Sequence, residues 1–186
     1  MLLVLLVACV HTVDVTLSAA EVAPSMANGS PWDGPQGALG PLTAEGKASL
    51  AAALGSLVGN AAVGTAVVGV ASELQKPDAA GQLTFVSGAG VADVSAIVPE
   101  MSDTNSPRWT PGQATVKGVA LKGSSSLRVA LVDKDLQSDD PIGTVVLSSG
   151  QLLRALARDG VLTVETADQS SGQLLSVSIL VVEPGK

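Results

Sequence analysis

The chain has 186 residues, 46% of them hydrophobic but only 2% aromatic, so its core must come from Val, Leu, Ala and Ile, within one well-packed domain carrying one sizeable insertion. Twenty Gly and ten Pro supply the many turns that an all-β protein needs. A net charge of −7 with scattered Lys and Arg leaves no basic patch to neutralise phosphates, which excludes nucleic acid as a partner and disfavours a cation-free grip on anionic lipid.

The chain opens Met1-Leu-Leu-Val-Leu-Leu-Val-Ala-Cys9. Cys9 is the single cysteine, so no disulfide framework exists within the chain. Leu6-Val7-Ala8-Cys9 fits the lipobox pattern of bacterial lipoproteins, in which the Cys becomes the lipidated first residue. No Lys or Arg precedes the apolar run, which a start codon placed too late would explain. Two readings stand open: residues 1–9 as a truncated lipoprotein signal with Cys9 as the lipidation site, or residues 2–10 as a buried first strand. The first implies a chain of the cell envelope, lipid-anchored or secreted.

Val13-Asp-Val15-Thr-Leu17-Ser-Ala19 alternates apolar and polar residues, the period of a half-buried strand. His11 lies just ahead of it and reads as a structural residue rather than a ligand. Residues 23–42 collect Pro and Gly and read as an extended loop. Within it, Trp32 is either a loop anchor or a residue of a membrane interface. From Ala48 to Ser72 the chain carries no charge and is rich in Ala, Gly, Val and Leu, including Gly55-x-x-x-Gly59. This insertion, about 42–75, is either a helical hairpin broken near Gly59-Asn60 or a single membrane-inserted helix. Asn60, Ser56 and Thr65 in mid-run favour the hairpin.

From Pro77 onward the pattern is β. Strands are predicted at Leu83–Ser87, Asp93–Val98, Ala114–Leu121, Ser126–Val132, Thr144–Ser148, Val161–Thr166 and Leu174–Glu183, separated by Gly- and Ser-rich turns. Ser149–Arg158 is a short helix, with Ser149 as N-cap, Leu152, Leu153 and Leu156 on one face and Gly160 as its stop. With the first strand this makes eight strands, an antiparallel β-sandwich over residues 10–186.

One constellation carries chemistry. The strand Ser126-Leu-Arg-Val-Ala-Leu-Val132 runs into Asp133-x-Asp135, then Asp139-Asp140, so four of the eleven aspartates fall within eight residues. Like charges this close repel unless a cation or solvent screens them. Short carboxylates at alternate loop positions can converge on one hard cation; a solvated acidic turn is the alternative. An EF-hand is excluded, because its fifth and sixth loop positions hold Gln137 and Ser138 here. The phosphatase signature of the haloacid dehalogenases fails at Gln137, where Thr or Val is wanted, and needs a parallel α/β fold.

Three pieces in order give the chain a resemblance to the C2 domain. Asp103-Thr-Asn-Ser-Pro107-Arg-Trp109 resembles the family's T-x-N-P-x-W stretch, Ser126–Asp135 resembles its strand ending in Asp-x-Asp, and Asp139-Asp140-Pro-Ile-Gly143 resembles the D-D-x-[IL]-G that closes the third loop. Lys76-Pro77-Asp78 falls where the family has S-D-P-Y, with Ala79-Ala80 in place of Pro-Tyr. The resemblance implies an eight-stranded sandwich holding Ca2+ between loops at one end. It implies Asp133, Asp135 and Asp140 as third-loop ligands, Asp139 in support, and Asp78 as a first-loop ligand. The other first-loop aspartate would be Asp33, which makes residues 35–76 an insertion inside that loop. Trp109 reads as a structural anchor.

The function expected is a calcium-binding module at a membrane, engaging phospholipid or a protein partner; the alternative is a calcium-independent structural or protein-interaction domain. An enzyme is not expected, because the only His and Cys lie at the N-terminus and no nucleophile elbow, P-loop or dinucleotide fingerprint is present. Nor does an aromatic platform accompany the acidic cluster, as sugar chemistry would want.

Overall fold

The computed structural model describes residues 11–32, 44–57, 76–88, 93–134, 139–166 and 173–185. Cys9, Asp33, Asp135 and the 58–75 part of the insertion lie outside the described residues. Eight strands form two four-stranded sheets: β1 (His11–Val22), β2 (Ala79–Val86), β3 (Val94–Met101), β4 (Thr115–Leu121), β5 (Ser126–Asp133), β6 (Asp140–Ser148), β7 (Val161–Glu165) and β8 (Leu174–Val182). One sheet has the order β4-β1-β8-β7 and the other β3-β2-β5-β6. Every pairing is antiparallel, so the predicted sandwich is the observed architecture.

Alternation builds the core. Val13, Val15 and Leu17 of β1 and Val177, Ile179 and Val181 of β8, from one sheet, join Leu83 and Phe85 of β2 and Leu127, Val129 and Leu131 of β5, from the other, in one apolar cluster. Branched aliphatic residues suit these pleated, half-buried surfaces, and the near absence of aromatics leaves them to fill the space between sheets. The two tryptophans are exceptions placed at the margin. Trp32 is fully buried and its Nε1–H donates to Ala23 O at 2.8 Å. Trp109 is also buried and its Nε1–H donates to Pro99 O at 2.7 Å. Each indole therefore has an apolar body in the core and a satisfied polar tip. Trp32 is thus an anchor, and the membrane-interface reading of its ring is set aside.

Several boundaries differ from the sequence reading: β2 is Ala79–Val86 rather than Leu83–Ser87, and β3 is Val94–Met101 rather than Asp93–Val98. β6 begins at Asp140 rather than Thr144, because Asp133 and Asp140 already pair at the loop end of the β5–β6 ladder. The N-cap of the second helix, α2 (Ser149–Leu156), is Ser148 rather than Ser149. Ser148 is extended, its Oγ accepts from Gln151 N–H at 3.3 Å, and Gln151 Oε1 accepts from Ser148 N–H at 2.9 Å. That reciprocal capping box claims the earlier serine, while Ser149 is buried and its N–H donates to Ser125 O at 3.0 Å. The stop is as expected: Gly160, at φ +79, donates its N–H to Ala155 O at 3.0 Å.

In the insertion, α1 spans Ala44–Leu57, 14 residues, well short of the roughly 20 that cross a bilayer. Among the described residues no helix is long and apolar enough to cross a membrane. The hairpin break near Gly59-Asn60 lies outside the described residues.

β2 sits between β3 and β5, and at Gly81 the backbone leaves no room for a side chain. A Cβ there would stand 2.0 Å from Ala130 O. Gly81→Ala is expected to destabilise the fold by roughly 3 kcal/mol, seen as a lower urea midpoint at unchanged slope.

Candidate functional site

Three connections meet at one end of the sandwich: residues 23–78 between β1 and β2, residues 102–114 between β3 and β4, and residues 134–139 between β5 and β6. Short-range geometry brings them together. Asp78 ends the first connection one residue before β2, and Ala79 pairs with both Met101 and Asp133. Asp133 pairs in turn with Asp140. The last row of the second sheet therefore carries Asp133 and Asp140 side by side, with Asp78 just beyond it. Directly opposite residues place their side chains on the same face of a sheet.

Asp133 is completely buried. Its Oδ1 accepts the Asp78 backbone N–H at 2.6 Å, and the Asp78 carbonyl accepts from Lys134 N–H at 3.0 Å. The Asp78 carboxylate then reaches the second loop, its Oδ1 accepting from Asp103 N–H at 2.7 Å. The neighbouring Thr104 N–H donates to Pro77 O at 3.1 Å. Asp103 has φ +54, the left-handed region that Asp tolerates better than most residues. That conformation presents successive amides of residues 103 and 104 to the Pro77–Asp78 segment. The chain Asp103–Asp78–Asp133 thus locks all three loops through backbone amides and carboxylate oxygens.

The segment that resembles the T-x-N-P-x-W stretch has a structural reason for its residues. Asn105 Nδ2–H donates to Ala23 O at 3.0 Å, the same carbonyl that takes the Trp32 indole. Val22 N–H donates to Asn105 O at 2.8 Å, Ala20 N–H to Pro107 O at 3.1 Å, and Trp109 N–H to Ser18 O at 2.9 Å. The segment runs along β1 of one sheet while the Trp109 indole bonds to β3 of the other. It is a clamp between sheets at the acidic end.

Of the aspartates named from the sequence, Asp78, Asp133 and Asp140 share this end. Asp139 is there too, ion-paired with Lys134. Asp33 and Asp135 lie outside the described residues, but each directly follows a residue fixed here: Trp32 through its bond to Ala23, and Lys134 through its amide to Asp78. Sequence reasoning quoted Asp103 but did not assign it, and it passed over Glu100. Both add negative charge beside Asp78. The available signal was an Asp directly after a strand and ahead of Thr-Asn, where a left-handed turn residue is wanted.

Electrostatics follow from that crowding. Burial, foremost, pushes the Asp78 carboxyl above its ordinary pKa; the Asp103 N–H bond opposes this, and the charges of Asp103 and Glu100 add to it. The donors are all hard carboxylate oxygens, with no His or Cys among those named, a chemistry that suits calcium rather than a soft transition metal. Among the described residues no group of three or more His, Cys, Asp or Glu converges closely enough to hold a metal ion.

No protein-family model matches the chain, and no curated protein does. Solved structures to which it is similar include human GIVD cytosolic phospholipase A2, at 13% identity and TM-score 0.47 over 95% of this chain and 18% of that one. A C2 domain of plant extended synaptotagmin 1 matches at 12% identity and TM-score 0.41, over 95% of this chain and 97% of that one. The calcium-bound pair of C2 domains of extended synaptotagmin 2 matches at 12% identity and TM-score 0.36, over 92% of this chain and 45% of that one.

Two outcomes test the site as described. Asp133→Ala strips the Asp78 amide of its acceptor and is expected to cost about 1–3 kcal/mol, whereas Asp133→Asn keeps an acceptor oxygen and is expected to cost less; chemical denaturation separates them. Folding raises the Asp78 pKa above its ordinary 3.8, so the folded state holds this proton more tightly than the unfolded chain. Its penalty is absent below 3.8 and grows as pH rises through the window up to the raised value. Asp78→Asn retains an acceptor for Asp103 N–H. Without divalent ions it is expected to stabilise the fold at pH 7 by up to about 1 kcal/mol, with the gain vanishing in acid, as measured by melting across pH.

Proposed function

We propose that the chain is a C2-like binding module rather than an enzyme, one whose acidic end takes calcium and through it engages phospholipid or a protein partner. The observation that carries this reading is the Asp103–Asp78–Asp133 linkage, which holds carboxylates from three separate loops at one end of a sheet. Asp33, Asp78, Asp133, Asp135 and Asp140 would hold the ion, with Asp139 in support. When bound, calcium supplies positive charge and open coordination positions that accept phosphate or carboxylate oxygens. The protein's own contribution is to keep the acidic groups in place against burial first and mutual repulsion second, the two causes that raise the Asp78 pKa. The lipobox pattern ending at Cys9 supports lipid attachment there, and hence residence at the cell envelope.

A second reading, a calcium-independent interaction domain, is favoured by a specific observation. One oxygen of Asp78 and one of Asp133 are already engaged by backbone amides, and the described carboxylates do not by themselves form a metal-holding group. On that reading both aspartates are loop fasteners.

Calcium titration by calorimetry decides between them, on wild type and on Asp133→Asn/Asp135→Asn, which preserves the acceptor for Asp78 N–H. The calcium reading expects saturable heat in wild type that the double variant loses, and it expects Asp78→Asn to become destabilising once calcium is present. Identical null titrations leave the calcium-independent reading standing.

A further inference from the structure

At the end of the sandwich away from the acidic loops, a cavity of about 420 Å³ opens between β4 of one sheet and the β2–β3 edge of the other. β2 runs from the acidic row at Ala79 to Val86, so its two ends lie roughly 23 Å apart at 3.3 Å per residue. Its floor is apolar: the buried Phe85, the only Phe of the chain, and Val119, with the part-exposed Val94 beside them. Lys122 stands at the rim with the hydroxyls of Ser124 and Ser125. The rim is built rather than loose. Ser125 Oγ donates to Lys122 O at 2.8 Å and accepts from Lys122 N–H at 3.0 Å. Across the mouth, Ser124 packs so closely on Gly88 that a Cβ there would stand 2.1 Å from its Oγ.

Two further features point to a ligand with one apolar and one anionic part. A large hydrophobic of the lining is left partly exposed: Val94, at 40%, pairs with Phe85. The cation lining the cavity is Lys122. The nearest described acid on the β2–β3 loop, Asp93, is not among the lining residues, and its Oδ1 accepts from Ser87 N–H at 3.2 Å. The volume is about fourteen water volumes at ~30 Å³ each, within the range of small-ligand pockets, which are mostly apolar with a few polar groups fixing orientation.

We infer that this cavity binds a free single-chain anionic amphiphile, its chain between Phe85, Val94 and Val119 and its head group on Lys122. The site is independent of the acidic loops. Decanoate below its micelle concentration is the probe, in EDTA, followed by calorimetry and by amide shifts of the full chain, with decyltrimethylammonium as the opposite-charge control. The expected result is one-to-one decanoate binding, with shifts centred on Phe85, Val94, Val119 and Lys122. Lys122→Glu is expected to weaken it at least tenfold while improving binding of the cationic control. Val94→Trp fills the cavity from a half-exposed edge position and is expected to abolish binding while melting like wild type. The inference is overturned by absence of decanoate binding, by wild-type affinity in either variant, by shifts centred on the acidic loops, by a requirement for calcium, or by binding only to anionic vesicles.

Discussion

The bond on which the acidic end depends is the one from the Asp78 amide to the buried carboxylate of Asp133. A β-sandwich holds its sheets together by side-chain packing, but packing does not define where loops sit relative to one another. Here a carboxylate at the end of β5 reaches the residue that starts β2, and that residue's own carboxylate reaches the β3–β4 loop. Charge-assisted hydrogen bonds of this kind are among the stronger polar contacts in a protein, and three loops share two of them. The cost is that acidic groups accumulate where some are shielded from water, as the elevated Asp78 pKa shows. On the proposed reading, a divalent cation would relieve that crowding.

Much of this was legible in the sequence, and the reasons differ by element. The strands could be read because Val and Leu alternate against polar or small residues, as in Val13–Ala19 and Ser126–Val132. The antiparallel sandwich followed from their number and spacing. Asp133 and Asp140 could be placed together because they flank a short loop between adjacent strands. Asp78 required the resemblance to the C2 family, since nothing local marks Pro77-Asp78 as a neighbour of Asp133. Asp103 and Glu100 were not found, because their effect arises from a left-handed backbone residue and a loop crossing between sheets, both tertiary facts. The helix cap slipped by one residue because two adjacent serines compete, and only the Gln151 partner three residues on selects Ser148.

The two ends of the molecule divide its chemistry. One gathers carboxylates on loops tied by backbone hydrogen bonds; the other gathers apolar side chains around a lysine. Between them β2 and β5, paired along their full length, run the whole distance from one end to the other. Residues at the two ends are far enough apart to be altered separately, since distant sites without shared partners behave additively.

Trp32 and Pro77 bracket the insertion, and both are tied at the same end: Trp32 to Ala23 beside Asn105, and Pro77 to the amide of Thr104. The exit and the re-entry of the chain are thus fixed by the sandwich, not by what lies between them. Closing a longer loop between fixed points costs only about 0.6 kcal/mol for each doubling of its length. The stretch from 33 to 76 is accordingly a place where the fold can accept foreign sequence, and where lineages can lengthen, shorten or exchange a segment without rebuilding the sheets.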